Sequence, residues 1–361
     1  MIRVLIVEDS PVEQKLLAHI LSADPQITVA GYAINGEIAL SAMERLKPDV
    51  ITMDIHMPHL NGFETTRRIM ESTPTPIIIV SGSFTTSDAD KSFEAMEAGA
   101  LAIIRKPSGL GHPDHMRDAS ELIRTVKIMS EIKVVRRWPR LRSEVPAPFL
   151  HADTTGVTPE KIRIVAIGAS TGGPAVLQKL FAALPKDLSV PVVVVQHMAV
   201  GFMENFVKWL SDTTGFPAHI ATHGERLAPG HAYFAPDGFH MLIERDYRIV
   251  LSDESPENGL RPSVARLFSS VAKTFGCNSV GVLLTGMGRD GADDLKRLRN
   301  KGAVTIVQDR ESSIVFGMPG EAIEINAADF ILAPHEIAQL LARLVTSKSN
   351  PGPAEKSFCT T

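Results

Sequence analysis

Three side chains with complementary proton chemistry stand at the ends of apolar runs in the second half of the chain. Ser170 follows Ile164, Val165, Ala166 and Ile167 and lies in the turn GASTGGP (168–174). His197 follows four valines and Gln196, and Asp290 lies in the glycine-rich LLTGMGRDG (283–291). A serine hydroxyl is a weak nucleophile until a base takes its proton, and a neutral imidazole does so near neutral pH. A carboxylate then holds the imidazole tautomer and stabilises the imidazolium. Taken singly, each residue has a plainer use. The Ser170 turn, opening onto a helix, suits a bound phosphate as well as an oxyanion. A histidine at a strand end often packs structurally, and an aspartate in a glycine loop often forms a turn or caps a helix. Together they make a hydrolytic set, because one sheet edge could gather all three. Their order, Ser…His…Asp, is not the Ser…Asp…His of α/β-hydrolases, and the turn lacks G-x-S-x-G, so a different α/β scaffold is required. A dinucleotide fingerprint would need glycine where Ser170 stands, and a P-loop would need lysine where Pro174 stands. His219 and His223 have i,i+4 spacing, but PAHIATHGE (217–225) reads as strand and loop, so a helical zinc site is not expected.

A second constellation occupies the first half. Glu8 and Asp9 end one apolar run, Asp54 another, Ser81 a fourth and Lys106 a fifth. Three carboxylates in one place repel each other, and a hard divalent cation with oxygen ligands offsets that, with Lys106 adding positive charge. Such an ion also draws phosphate oxygens, so one carboxylate could attack a phosphoryl donor. As isolated loop acids they would be unremarkable. Falling in register at successive strand ends is what argues for a site.

The elements that must position these groups alternate along the chain. Strand candidates 3–7, 28–31, 50–53, 76–80 and 101–105 are separated by amphipathic segments, with a last helix at about 114–136. Five βα units of this kind imply a parallel sheet covered on both faces, with sites at the C-terminal strand ends. After residue 161 the alternation resumes, with strands expected at 163–167, 192–196, 232–235, 279–285, 304–307 and 330–332, a small antiparallel addition in the middle and a closing helix at 334–344. The fold class is therefore α/β: a (βα)5 domain over residues 1–136, a proline-containing linker at 137–160, a doubly wound, mostly parallel domain over 161–346, and a polar tail at 347–361 expected to be disordered.

With 361 residues and 44% hydrophobic side chains, the chain can bury two cores. A net charge of -4 does not suggest a nucleic-acid binder held by bulk electrostatics. Cys277 and Cys359 have no metal-ligand spacing, a disulfide framework is not expected, and a reducing cytoplasm fits. The N-terminus lacks a signal-peptide layout, and no apolar run approaches the roughly 20 residues of a membrane span, so a soluble protein is expected.

The first half resembles the response-regulator receiver domain through VLIVEDS (4–10), MDIHMPHLNG (53–62), VSG (80–82) and RKP (105–107). The resemblance implies Asp54 as phosphoacceptor, Mg²⁺ held by Glu8, Asp9 and Asp54, and phosphoryl contacts from Ser81 and Lys106. Receivers usually carry an aromatic switch residue three places before that lysine. Ile103 stands there, which leaves the relay undefined. The second half is similar to the chemotaxis protein-glutamate methylesterases of the CheB type, through GASTGGP, VVVQHM (193–198), YFAPDGFHM (233–241), GLRPSV (259–264) and LLTGMGRDG. That similarity implies a phosphorylation-activated serine hydrolase that demethylates glutamate γ-methyl esters on methyl-accepting chemoreceptors, releases methanol and often deamidates receptor glutamines. It implies Ser170 as nucleophile, His197 as base and Asp290 as orienting acid, with backbone amides of Thr171 and Met287 as candidate oxyanion donors. The esterase half would need no cofactor. The expected phosphodonor is the chemotaxis histidine kinase. The protein would sit in the cytoplasm, peripheral to the receptor array and not inserted in the membrane.

Overall fold

The computed structural model describes residues 1–82, 98–132 and 162–345. The chain divides into two compact units, residues 1–147 and 148–361. The expected linker at 137–160 and the tail at 347–361 lie outside the described residues.

The first unit is a five-stranded parallel sheet in the order β2-β1-β3-β4-β5. Its strands are β1 (Ile2–Val7), β2 (Ile27–Ala33), β3 (Val50–Met53), β4 (Ile77–Ser81) and β5 (Ala102–Arg105). Helices α1 (Pro11–Ser22), α2 (Gly36–Leu46), α3 (Gly62–Ser72) and α4 (His115–Ser130) are described. Their starts follow local chemistry. Ser10, Asn35 and Asn61 each accept a hydrogen bond from the backbone three residues on, and Pro11 opens α1 where a missing N–H costs nothing. The near-continuous aliphatic strands β1, β3 and β4 are buried on both faces, as a covered parallel sheet requires.

The second unit is built on a seven-stranded sheet in the order β14-β13-β12-β6-β7-β9-β8, in which every neighbouring pair is parallel. The strands that carry chemistry are β6 (Ile164–Ala169), β7 (Val192–Gln196) and β12 (Ser279–Leu283). The chain lays down β6, places β7 beside it, goes out to the edge strand β8 (Ala218–Ile220), inserts β9 (Ala232–Phe234) between β7 and β8, then returns to place β12 on the other side of β6. β13 (Val304–Gln308) and β14 (Phe330–Leu332) extend that side. The reversal beside β6 is a topological switch point, where a parallel α/β sheet opens a crevice at its C-terminal edge. One face of β6 and β7 packs Ile164, Ala166, Val193 and Val195 against Val264, Leu267 and Phe268 of the helix Val264–Thr274. Among the phenylalanines of this unit, Phe181 lies 5.0 Å from Phe216, and Phe206 meets Phe234 edge-on at 5.7 Å. The antiparallel addition is the hairpin β10 (His240–Glu244) and β11 (Arg248–Ser252), a separate two-stranded sheet.

The strand ends shift by one or two residues from the sequence expectation. β6 runs through Gly168 and Ala169 because both pair with β7, which brings Ser170 directly onto the strand end. Conversely, β12 stops at Leu283 rather than at residue 285, because Thr285 donates its N–H to Gln308 Oε1 at 2.8 Å and its Oγ–H to Thr171 O at 3.0 Å. Cys359 lies outside the described residues, and with it the expectation about disulfides. No helix among the described residues is long and apolar enough to cross a membrane.

Candidate active site and phosphoryl site

Ser170 and His197 leave adjacent parallel strands one residue beyond the paired Ala169 and Gln196. The His197 N–H donates to the Ala169 carbonyl at 2.9 Å, which ties the histidine to the strand that ends beside Ser170. Ser170 N–H donates to Thr285 O at 3.0 Å, which ties the serine to the loop leading to Asp290. Gly172 adopts φ +80°, so the turn needs glycine there, and the helix Gly173–Ala183 begins at once. Gly286 approaches so closely that a Cβ would lie 2.7 Å from Ser170 Cβ.

Asp290 is buried and surrounded by donors. Its Oδ2 lies 3.0 Å from His197 Nε2 and accepts Val264 N–H at 2.7 Å. Its Oδ1 accepts Ser263 Oγ–H at 3.0 Å and Ala265 N–H at 3.1 Å. The carboxylate thus caps the helix Val264–Thr274 from another segment of the chain, while Ser263, at that helix's own N-cap position, makes no cap bond itself. Burial alone would raise the Asp290 pKa. His197 and the two helix amides outweigh it and hold the acid below its ordinary value, so it stays ionised. His197 Nε2 is at ion-pair distance from Asp290 but off the straight hydrogen-bond direction. The Ser170 hydroxyl makes no hydrogen bond to His197 in this structure. Such contacts commonly tighten only when substrate is bound.

Of the sequence candidates, then, His197 and Asp290 are in contact, Ser170 stands at the same sheet edge, and Thr171 and Met287 are half-buried beside it. The N–H groups of Thr171 and Met287 have no acceptor among the described residues. Three contributors lacked a separate role in the sequence reading. Ser263 stood only within the GLRPSV stretch. Thr285 anchors the turns, its Oγ donating to Thr171 O at 3.0 Å. Gln196 donates from Nε2 to Ser170 O at 2.8 Å and to His197 O at 2.7 Å. A polar residue closing a run of valines was the one signal available for Gln196.

At the C-terminal edge of the first sheet, Lys106 Nζ lies 2.7 Å from Glu8 Oε2 and 3.1 Å from Asp54 Oδ2. Asp54 Oδ1 accepts Ile55 N–H at 2.8 Å. Burial pushes the Glu8 carboxyl up to about 7, against the opposing pull of Lys106 and with added repulsion from Asp54. Burial also opposes the charge on Lys106, but Glu8 and Asp54 hold its pKa above the ordinary value. Glu8, Asp9 and Asp54 offer oxygen atoms all within 4.8 Å of one another. Ser81 Oγ is buried there with no hydrogen-bond partner among the described residues. An all-oxygen donor set with surplus negative charge and an orphaned hydroxyl fits a hard divalent cation and an incoming phosphoryl group. Ile103 is partly buried against the core of this unit.

Residues 165–341 match the family described as CheB methylesterase, and residues 4–118 match the response regulator receiver domain. A protein-glutamate methylesterase/protein-glutamine glutaminase of Syntrophus aciditrophicus is 52% identical over 348 residues, covering 96% of this chain and 99% of that protein. The chain belongs to the CheB methylesterase family. A second protein of the same name, from Geobacter metallireducens, is 52% identical over 349 residues, covering 96% of this chain and 100% of that protein. The crystal structure of the Thermotoga maritima CheB methylesterase catalytic domain matches 51% of this chain and 99% of its own, at 35% identity and a TM-score of 0.50. As expected for a CheB-family chain, an N-terminal receiver domain precedes an α/β catalytic domain, and the seven-stranded sheet carries the latter.

Proposed function

We propose that this protein is a phosphorylation-activated serine hydrolase that removes methyl groups from glutamate γ-methyl esters on chemoreceptors and deamidates receptor glutamines by the same route. The observation that carries the reading is the pair of half-buried His197 and buried Asp290, 3.0 Å apart, at the edge of the strand pair that also ends in Ser170. Because Nε2 faces Asp290, the nitrogen that serves Ser170 is Nδ1. In the first half-reaction Ser170 Oγ bonds to the ester carbonyl carbon as its proton passes to His197. The oxyanion lies toward the amides of Thr171 and Met287, each worth roughly 3 kcal/mol in the transition state. Collapse breaks the carbon–methoxy bond, His197 returns the proton, and methanol leaves. Water, deprotonated by His197, then cleaves the acyl-enzyme to the free glutamate and Ser170. A glutamine substrate differs only in releasing ammonia. Asp290 stays ionised throughout and stabilises the imidazolium.

In the receiver domain Asp54 is the phosphoacceptor, Glu8, Asp9 and Asp54 would hold Mg²⁺, and Ser81 and Lys106 would contact the phosphoryl oxygens. The ion supplies charge neutralisation at the phosphoryl group. The phosphodonor is the histidine kinase of the same pathway, and the site of action is the cytoplasmic side of the receptor array. Methanol release from methylated receptor membranes tests the whole reading. Wild type should respond to a small phosphodonor with Mg²⁺, Asp54→Asn should not, and Ser170→Ala should release none. Release by Ser170→Ala would refute the serine mechanism.

A further inference from the structure

We infer that Gln196 is a positioning residue that aims the oxyanion donor and ties it to the base. This inference rests on the serine-hydrolase reading above. The carbonyl of Ser170 and the N–H of Thr171 belong to one peptide unit, planar and trans, so they point in opposite directions. Whatever fixes the carbonyl fixes the N–H. The Ser170 carbonyl accepts two bonds from within the domain, from Gly173 N–H at 2.8 Å and from Gln196 Nε2 at 2.8 Å. Thr171 N–H is thereby turned away from the protein interior, with no acceptor among the described residues.

The other donor is held in the same manner. The carbonyl of Gly286 accepts Gly317 N–H at 3.0 Å and Met318 N–H at 2.9 Å, which orients the N–H of Met287. Only the first peptide depends on a side chain. Gln196 is buried, at the last position of β7, and its two amide hydrogens are shared between Ser170 O and His197 O. One planar amide therefore sets the separation between the nucleophile's peptide and the base's peptide. The fit is specific to this side chain. A Cβ at Gly173 would lie 1.9 Å from Gln196 Oε1, so the amide occupies space that any other residue at 173 would claim. Oε1 itself has no hydrogen-bond partner among the described residues, so the amide's donating end does the holding.

The test replaces the donors while keeping volume, in the full-length protein activated by a small phosphodonor and Mg²⁺. Gln196→Met removes both hydrogen bonds, and Gln196→Glu puts a carboxylate against two carbonyls. Each is assayed on a glutamate γ-methyl ester and on its thionoester, whose sulfur gains less from an oxyanion donor. The inference expects kcat to fall about tenfold to a hundredfold with little change in KM, a loss smaller than removing an oxyanion donor outright. It also expects the preference for ester over thionoester to shrink. A residue that only supports the fold would lower the amount of active enzyme and leave that preference at its wild-type value, which would overturn the inference. If Gln196→Met does not fold, Gln196→Glu gives the same readout. Ser170→Ala, run in parallel, separates the two levels. Turnover that survives Ser170→Ala overturns the serine reading and the inference with it. Serine-dependent turnover with unchanged kcat and preference in the Gln196 variants overturns the inference alone.

Discussion

Replacing Asp290 with asparagine should cost both stability and turnover, because one carboxylate does two jobs. All four of its close neighbours are donors: Ser263 Oγ, Val264 N, Ala265 N and His197 Nε2. An asparagine has one accepting oxygen and one NH₂ group. With the oxygen kept toward Val264 and His197, the NH₂ faces Ser263 and Ala265. The serine can rotate to accept, but the Ala265 N–H cannot. One buried amide is then orphaned, at about 1–3 kcal/mol. The negative charge at the start of the helix Val264–Thr274 is lost as well, at about 0.3–2 kcal/mol. The sum is about 1–5 kcal/mol, which for a domain of this size lowers the melting temperature by roughly 3–20 °C. Turnover should fall by about 10³–10⁴-fold, since the imidazole loses the anion that holds its tautomer. Thermal unfolding and methanol release, measured on one preparation, check both. An Asp290→Asn protein that melts with the wild type would refute the capping role, and one that keeps its turnover would refute the catalytic one.

Three further outcomes follow from the same geometry. Ser263→Ala removes one of the three hydrogen bonds to Asp290 and should destabilise by about 1 kcal/mol in denaturant titration while sparing most activity. Gly286→Ala should fold with a loss of about 1–3 kcal/mol yet be nearly inactive in the esterase assay, because the new Cβ meets Ser170 Cβ at 2.7 Å and Met318 Sδ at 2.3 Å. Asp294 gives a pH signature. Burial, opposed by Arg297 and reinforced by Asp290, Asp293 and Glu257, raises its carboxyl from 3.8 to about 6. The folded state therefore binds more protons between those values, and stability from this group is present at low pH and lost as pH rises through about 6. Asp294→Asn should flatten that part of the stability–pH curve, and an unchanged slope in urea titrations at pH 4 to 7 would count against the assignment.

Much of the fold was legible in the sequence because buried parallel strands are aliphatic on both faces and end in conspicuous polar residues. VVVVQH and IVAIGAS advertise both the strand and the group it delivers. The same holds for Glu8, Asp54, Ser81 and Lys106, each the first or last polar residue at a strand end. Residue type and position along the chain thus determined two α/β units, two strand-end constellations and the chemistry open to each. They could not decide which side of β6 each later strand would occupy. That choice, made when the chain returns to add β12 beside β6, is what brings Asp290 to His197. Nor could they show that Asp290 caps a helix begun more than twenty residues earlier, that Ser263 serves that carboxylate, or that the Gln196 amide holds two backbone carbonyls. Those are contacts between distant segments. Hydrogen-bond direction and close backbone approach exist only once the strands are in register, so only the tertiary structure decided them.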